Sequence, residues 1–206
     1  METKIQTFNF EDLIEQTGTE SAADENPVAY LTRDLLVALG EDPDREGLQR
    51  TPERVARMYA EILSGYQTDL PAMINGAIFT SDYQHMVVVR DIEYYSMCEH
   101  HMLPFTGRAH VAYIPDGRII GLSKIPRLVE VFARRLQVQE RMTQQIAETL
   151  QAVLRPRGVA VLVEGAHMCA MMRGVKKSEA SMVTSAFLGE FEQDEKKREE
   201  FRAQLR

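Results

Sequence analysis

The chain has 206 residues, 44% of them apolar and 27% charged, with a formal net charge of −7. That length suits one domain with a real core, alone or with a helical extension, and no apolar run approaches the length of a membrane span. Residues 1–26 hold seven acids and one lysine, residues 190–206 hold six acids and five bases, and the rest balances, so the acidity belongs mostly to the N-terminal tail and no basic stripe suits a nucleic acid.

That tail, residues 1–26, lacks the basic start and apolar stretch of a signal peptide, so a cytoplasmic protein is expected. It is polar with little periodicity, which predicts disorder or a short docking helix over residues 8–14. "NPVAYLTRDLLVALG" then predicts a helix: Asn26 caps it, Pro27 fits its first turn, Gly40 ends it, and Val28, Leu31, Leu35 and Leu39 form a stripe. "TPERVARMYAEILSGY" predicts a second, with Thr51 as cap, Gly65 as stop and a buried face of Val55, Met58, Tyr59 and Ile62. Arg54 and Arg57 share a face of it, which on helix grounds alone is a solvated one.

From about residue 78 the pattern becomes β. "MVVVRDIEYYS" and "GRAHVAYIP" read as strands, and Asp116–Gly117 as a hairpin turn leading to the short strand "RIIG". A helical pair follows: Ile125, Leu128, Val129 and Phe132 mark the first face, Met142, Ile146 and Leu150 the second, with "QVQE" between them and Gly158 at the end. "VAVLVEGAHMCA" and "SMVTSAFLGEF" are two more strands, and the tail is a charged helix anchored by Phe201 and Leu205. The expected divisions are the acidic tail 1–26, a helical region 27–77 and a catalytic domain 78–206. No Gly-rich phosphate loop follows a strand, so neither dinucleotide-binding nor Walker chemistry is supported.

The chemistry concentrates in "SMCEHHMLPF" and "HMC". Cys98 and His101, three residues apart in a turn, can converge on one ion. Cys169 is the obvious third donor, expected from a later strand. Thiolate and imidazole suit zinc, and a Cys2His set leaves one tetrahedral position open, as catalytic zinc requires. A structural site would want a fourth ligand, His100 or His167. Adjacent histidines point apart in an extended chain, which argues against His100 and His101 sharing the ion. His167 and Cys169, two apart, would face one side of a strand. Glu99 is expected to orient or cap the turn. His85 reads as a surface residue and His110 as a satisfied sheet histidine. Ser123 and Lys124 open a helix with Arg127 one turn on, a natural anion site, and Arg173 lies just past Cys169. Glu140, at a helix junction, can cap a helix or accept hydrogen bonds from a planar base.

From about residue 28 onward, "TPERVARMY", "CEHHMLPFTGRAHVAYIP", "GLSKIPRLVEVFARRLQVQERMTQQIA", "HMCAMMRGV" and "TSAFLGEF" resemble the GTP cyclohydrolase I family. The resemblance implies an α+β tunnelling fold: an antiparallel sheet with two packed helices, an N-terminal helical extension, and subunits that join sheets into a β-barrel ring as a homodecamer. It implies GTP as substrate, formate and 7,8-dihydroneopterin triphosphate as products, and zinc as cofactor. In this numbering Cys98, His101 and Cys169 match the zinc ligands, and His100 and His167 the catalytic histidines. Glu140 and Gln139 match residues that hold the guanine edge. Ser123, Lys124, Arg127 and Arg173 match residues that bind ribose and triphosphate, and Arg54 and Arg57 match basic residues that reach the triphosphate across a subunit interface. Two other readings compete. A nitrile reductase of the queuosine pathway on the same fold would use a cysteine thioimide and a nicotinamide cofactor and has no need of a Cys2His set. A non-catalytic zinc-stabilised oligomer leaves the extra histidines unexplained.

Overall fold

The computed structural model describes residues 26–74 and 76–205. The expectation of disorder or a docking helix in the acidic tail lies outside the described residues. The chain divides into two compact units, Met1–Gln67 and Thr68–Arg206.

In the first unit, α1 (Pro27–Ala38) opens on Asn26, whose Oδ1 accepts from the Val28 N–H at 3.0 Å, and the chain leaves at Gly40 with φ of +83°. Its stripe is open: Leu31, Leu35 and Leu39 are more than half exposed and only Ala29 is buried. α2 (Thr51–Ile62) differs from expectation at both ends. Arg50 takes the cap position with no side-chain cap, so Thr51 lies inside the helix. Gly65 belongs to a 3-10 turn, Ser64–Tyr66, that tightens the exit. Pro52 and Ala56 are the buried residues of α2, whereas Met58 is exposed.

In the second unit, β2 (Val87–Cys98), β3 (Pro104–Ile114), β6 (Gly158–His167) and β7 (Met182–Gly189) form an antiparallel run, and β5 (Leu136–Gln137) adds to β2 in parallel, giving the order β5-β2-β3-β6-β7. β5 overlaps the expected "QVQE" link at Gln137, and two residues are too few to show a period. β1 (Ile78–Thr80) pairs with β4 (Arg118–Ile120), so the Asp116–Gly117 turn does not fold β4 back on β3 as a hairpin. A short helix, α3 (Leu70–Ile74), precedes β1.

Period-2 alternation splits β3 and β6 between two cores. Ala109, Val111, Tyr113, Val159, Val161 and Val163 pack with α4 (Lys124–Ala133) and α5 (Gln139–Leu154). Ala112, Ile114 and Ala160 pack on the other side with Phe191 of α7 (Glu190–Gln193) and Phe201 of α8 (Glu195–Ala203), and Leu205 joins them. α5 ends at Arg155, left-handed with φ of 50° and followed by Pro156; Gly158 therefore opens β6 and does not close the helix.

β2 changes face partway. Val87 and Val89 belong to the helix-side core, but so do Ile92, Tyr94 and Cys98. The switch from odd to even numbers happens at a bulge, where Arg90 and Asp91 oppose His110 alone between the pairs Val89↔Val111 and Ile92↔Ala109. Asp91 takes φ of 59°, and its N–H donates to Nδ1 of buried His110 at 3.2 Å. Without that extra residue Cys98 would point to the opposite face of the sheet.

Candidate metal centre and its surroundings

The strand register brings the chemistry to one end of the sheet. Ser96 pairs with Phe105 and Phe105 with His167, so the end of β2, the start of β3 and the end of β6 lie side by side. Cys98 pairs with Gln137 of β5, and α5 begins two residues later with Gln139 and Glu140.

The turn after β2 closes tightly: the Cys98 N–H donates to Leu103 O at 2.9 Å, the Met102 N–H donates to Cys98 O at 2.8 Å, and Met102 is left-handed at φ of 51°. That geometry returns His101 over Cys98, with Cys98 Sγ and His101 Nδ1 3.9 Å apart. Cys169 Sγ lies 3.9 Å from Cys98 Sγ, and the donor atoms of Cys98, His101 and Cys169 all fall within 4.8 Å of one another. Tetrahedral bonds of about 2.3 Å to sulfur would set two thiolates about 3.8 Å apart, so the spacing fits a zinc-sized ion and the donors are those it prefers. Burial pushes the Cys169 thiol up, and neighbouring Cys98 adds to the effect. A bound cation would reverse that shift, since a coordinating thiol is deprotonated.

Cys169 does not come from a strand. β6 stops at His167, and Cys169 sits in a short helix, α6 (Met168–Met171). His167 and Cys169 are therefore not two residues of one strand face. His167 turns instead to protein partners: its ring stacks on buried Phe105 at 4.5 Å between centroids and 5° between planes, and its Nε2 lies 2.9 Å from Gln139 Oε1. Burial lowers the His167 pKa, and the nearby Glu140 carboxylate opposes that shift. His100 and His101 diverge, with ring centroids 6.3 Å apart and planes at 79°. His100 is exposed at the turn, and Glu140 is exposed in the first turn of α5.

Glu99 acquires a definite partner. Its N–H donates to Gln137 O at 3.0 Å and its carboxylate pairs with Arg141, which also donates from Nε to Gln137 Oε1 at 3.1 Å. The hydrogen bond from Arg141 holds the Glu99 carboxyl below its ordinary range. The pair ties the Cys98–His101 turn to the start of α5. Sequence reading missed Arg141, Phe105 and Gly165; each is an ordinary residue type whose role exists only once strands are in register.

Gln139 is buried, and its amide nitrogen is spent on protein acceptors in β6 and β7. Ser123, Lys124 and Arg127 open α4, where Ser123 makes no side-chain cap and Lys124 Nζ donates to Met73 O. No described hydrogen bond links these three to the cysteine–histidine group. Arg173 is exposed beyond α6, close enough to favour the Cys169 thiolate. Arg54 and Arg57 are exposed on α2 in the other unit.

Residues 28–206 match the family model described as GTP cyclohydrolase I. A GTP cyclohydrolase 1 of Chlorobaculum tepidum is 60% identical over 167 residues, covering 81% of this chain and 75% of that one. One from Gloeobacter violaceus is 53% identical over 193 residues, covering 92% and 90%. One from Deinococcus radiodurans is 56% identical over 176 residues, covering 85% and 82%. Among solved structures an apo archaeosine synthase QueF-Like is similar at a TM-score of 0.42 and 17% identity, covering 53% of this chain and 96% of that one, a likeness too slight to bear on fold or activity.

Proposed function

This chain belongs to the GTP cyclohydrolase I family, and from that premise we propose how its residues divide the work. The activity is hydrolytic opening of the guanine imidazole ring of GTP, with release of formate and formation of 7,8-dihydroneopterin triphosphate for pterin and folate synthesis. The observation that carries the assignment of roles is the convergence of Cys98, His101 and Cys169 within 4.8 Å at the same sheet end as His167 and Glu140. Those three residues would hold zinc, which would supply Lewis-acid activation of water at neutral pH.

His167 handles the proton at N7 of guanine, which makes C8 more electrophilic. His100 serves the later transfers as the ring opens and formate leaves. Glu140 accepts from the guanine edge; adenine lacks the matching donors, so the carboxylate discriminates against it. Ser123, Lys124, Arg127 and Arg173 hold ribose and triphosphate while the middle of the molecule rearranges, and Arg54 and Arg57 reach the triphosphate of a neighbouring subunit.

We assign the tunnelling fold and a homodecameric ring in the cytoplasm. Two features support assembly. Among the described residues β7 and most of β2 are open sheet edges, which neighbouring sheets would cover, and the α1 stripe Leu31, Leu35 and Leu39 is exposed. No described helix is long and apolar enough to cross a membrane.

The test is formate and fluorescent pterin production from GTP, with metal content measured before and after chelation. Full activity in metal-free protein sinks the zinc role. His167→Ala is expected to abolish formate release while retaining metal; loss of metal in that variant would make His167 a ligand. NADPH consumption with a deazapurine nitrile, and no pterin from GTP, would favour the nitrile reductase reading.

A further inference from the structure

We infer that Gln139 is a positioning residue that fixes the tautomer of His167, keeping the hydrogen of the neutral ring on Nε2 and the lone pair on Nδ1. The inference rests on the reading of His167 as a proton-transfer group given above. Gln139 opens α5 and is 1% exposed. Its Nε2 lies 3.0 Å from Val163 O, 3.0 Å from Met182 O and 3.1 Å from Thr184 Oγ1, and its Oε1 lies 2.9 Å from His167 Nε2.

The surroundings decide which way the amide faces. Backbone carbonyls only accept, so turning the amide over would set Oε1 against Val163 O and Met182 O in a buried place. The third neighbour agrees. Thr143 Oγ1 donates to Gln139 O at 2.7 Å, so across the 2.6 Å contact between the two threonines Thr184 is the donor. Thr184 Oγ1 then turns a lone pair to Gln139, so three acceptors share the two hydrogens of the amide nitrogen. With the nitrogen side committed, His167 meets an amide oxygen, which cannot donate. Nε2 of His167 must therefore carry its hydrogen, and in the neutral ring the lone pair is on Nδ1.

The ring has little freedom to escape this arrangement. Phe105 lies parallel beneath it, and Gly165 leaves room for the amide: a Cβ there would fall 2.2 Å from Gln139 Oε1. The contact between Nε2 and Gln139 Oε1 and the stacking on Phe105 together oppose a ring flip.

The test is long-range 1H–15N correlation on metal-loaded protein labelled at histidine, at pH about 8.5 where an imidazole is neutral. The His167 signals are assigned by their absence from His167→Asn. The expected pattern is Nε2–H; an Nδ1–H pattern overturns the inference. The measurement needs no turnover, so an enzyme that makes pterin but shows the wrong tautomer sinks this inference alone, and absence of pterin sinks the functional reading alone. Gln139→Met, with metal retained, is expected to lose the single tautomer and to drop kcat by about 10–100-fold with KM for GTP held within about threefold. A raised KM with unchanged kcat would put Gln139 against the substrate and overturn the proposal, as would an unchanged tautomer and kcat. Should Gln139→Met fail to fold, the wild-type tautomer decides.

Discussion

Gly165→Ala tests the packing behind the site with one methyl group. A Cβ at this position would lie 2.2 Å from Gln139 Oε1 and 2.7 Å from Tyr94 Oη, where ordinary contact begins at 3.4 Å. Tyr94 is fully buried and its hydroxyl donates to Glu164 O at 3.2 Å, so it cannot yield freely. The amide oxygen must retreat by about 1 Å, which takes it out of hydrogen-bond range of His167 Nε2, now 2.9 Å away. The lost bond costs about 1 kcal/mol and the overpacking about 1–3 kcal/mol, so a loss of about 2–4 kcal/mol in unfolding free energy is expected. Because the His167 ring loses its polar anchor, formate release is expected to fall by about 10–100-fold with metal stoichiometry unchanged. Denaturant titration and a formate assay on the same preparations measure both. Stability within about 0.5 kcal/mol of wild type together with unchanged turnover would show that the amide is not wedged between Gly165 and His167, and the packing argument would fail.

The Glu99–Arg141 pair gives a pH-dependent expectation. Arg141 lowers the Glu99 pKa from its ordinary 4.5, so the pair's contribution is present above that value and is lost as pH falls through the lower, folded one. Both side chains are about a third or more exposed, which limits the contribution to about 0.5 kcal/mol. Glu99→Gln should be less stable than wild type by about that much at pH 7, and the gap should close on acidification; a gap that widens below pH 4.5 reverses the assigned sign. The β2 bulge gives another. Asp91 is left-handed at φ of 59°, so Asp91→Gly should be tolerated, while Asp91→Val should cost about 1–2 kcal/mol more and reduce metal occupancy, because the bulge sets the face on which Cys98 emerges. Equal stability of the two variants would mean that the bulge is not held by this conformation.

What could be read from the sequence follows from where each kind of information resides. Cys98, His101 and Cys169 were legible as candidate donors because soft and borderline ligands are few in this chain, which has two cysteines and five histidines, although Cys169 reaches the other two only through the fold. The amphipathic faces of α4 and α5 were legible because a helix declares its buried side within two turns. The β2 face switch was not, because "VVVRDIEYYSMC" carries no mark of the extra residue; His110, which accepts from the bulge, is 19 positions away. The same holds for α6. Counting by two from His167 to Cys169 assumed a strand that ends between them, and only the helical turn shows that the two residues need not share a face. Gln139 shows what this limit means for function. Its neighbour Glu140 is exposed while Gln139 is buried, since adjacent residues in a helix's first turn point about 100° apart. The packing separates their side chains, leaving the Glu140 carboxylate exposed and setting the Gln139 amide against the His167 ring.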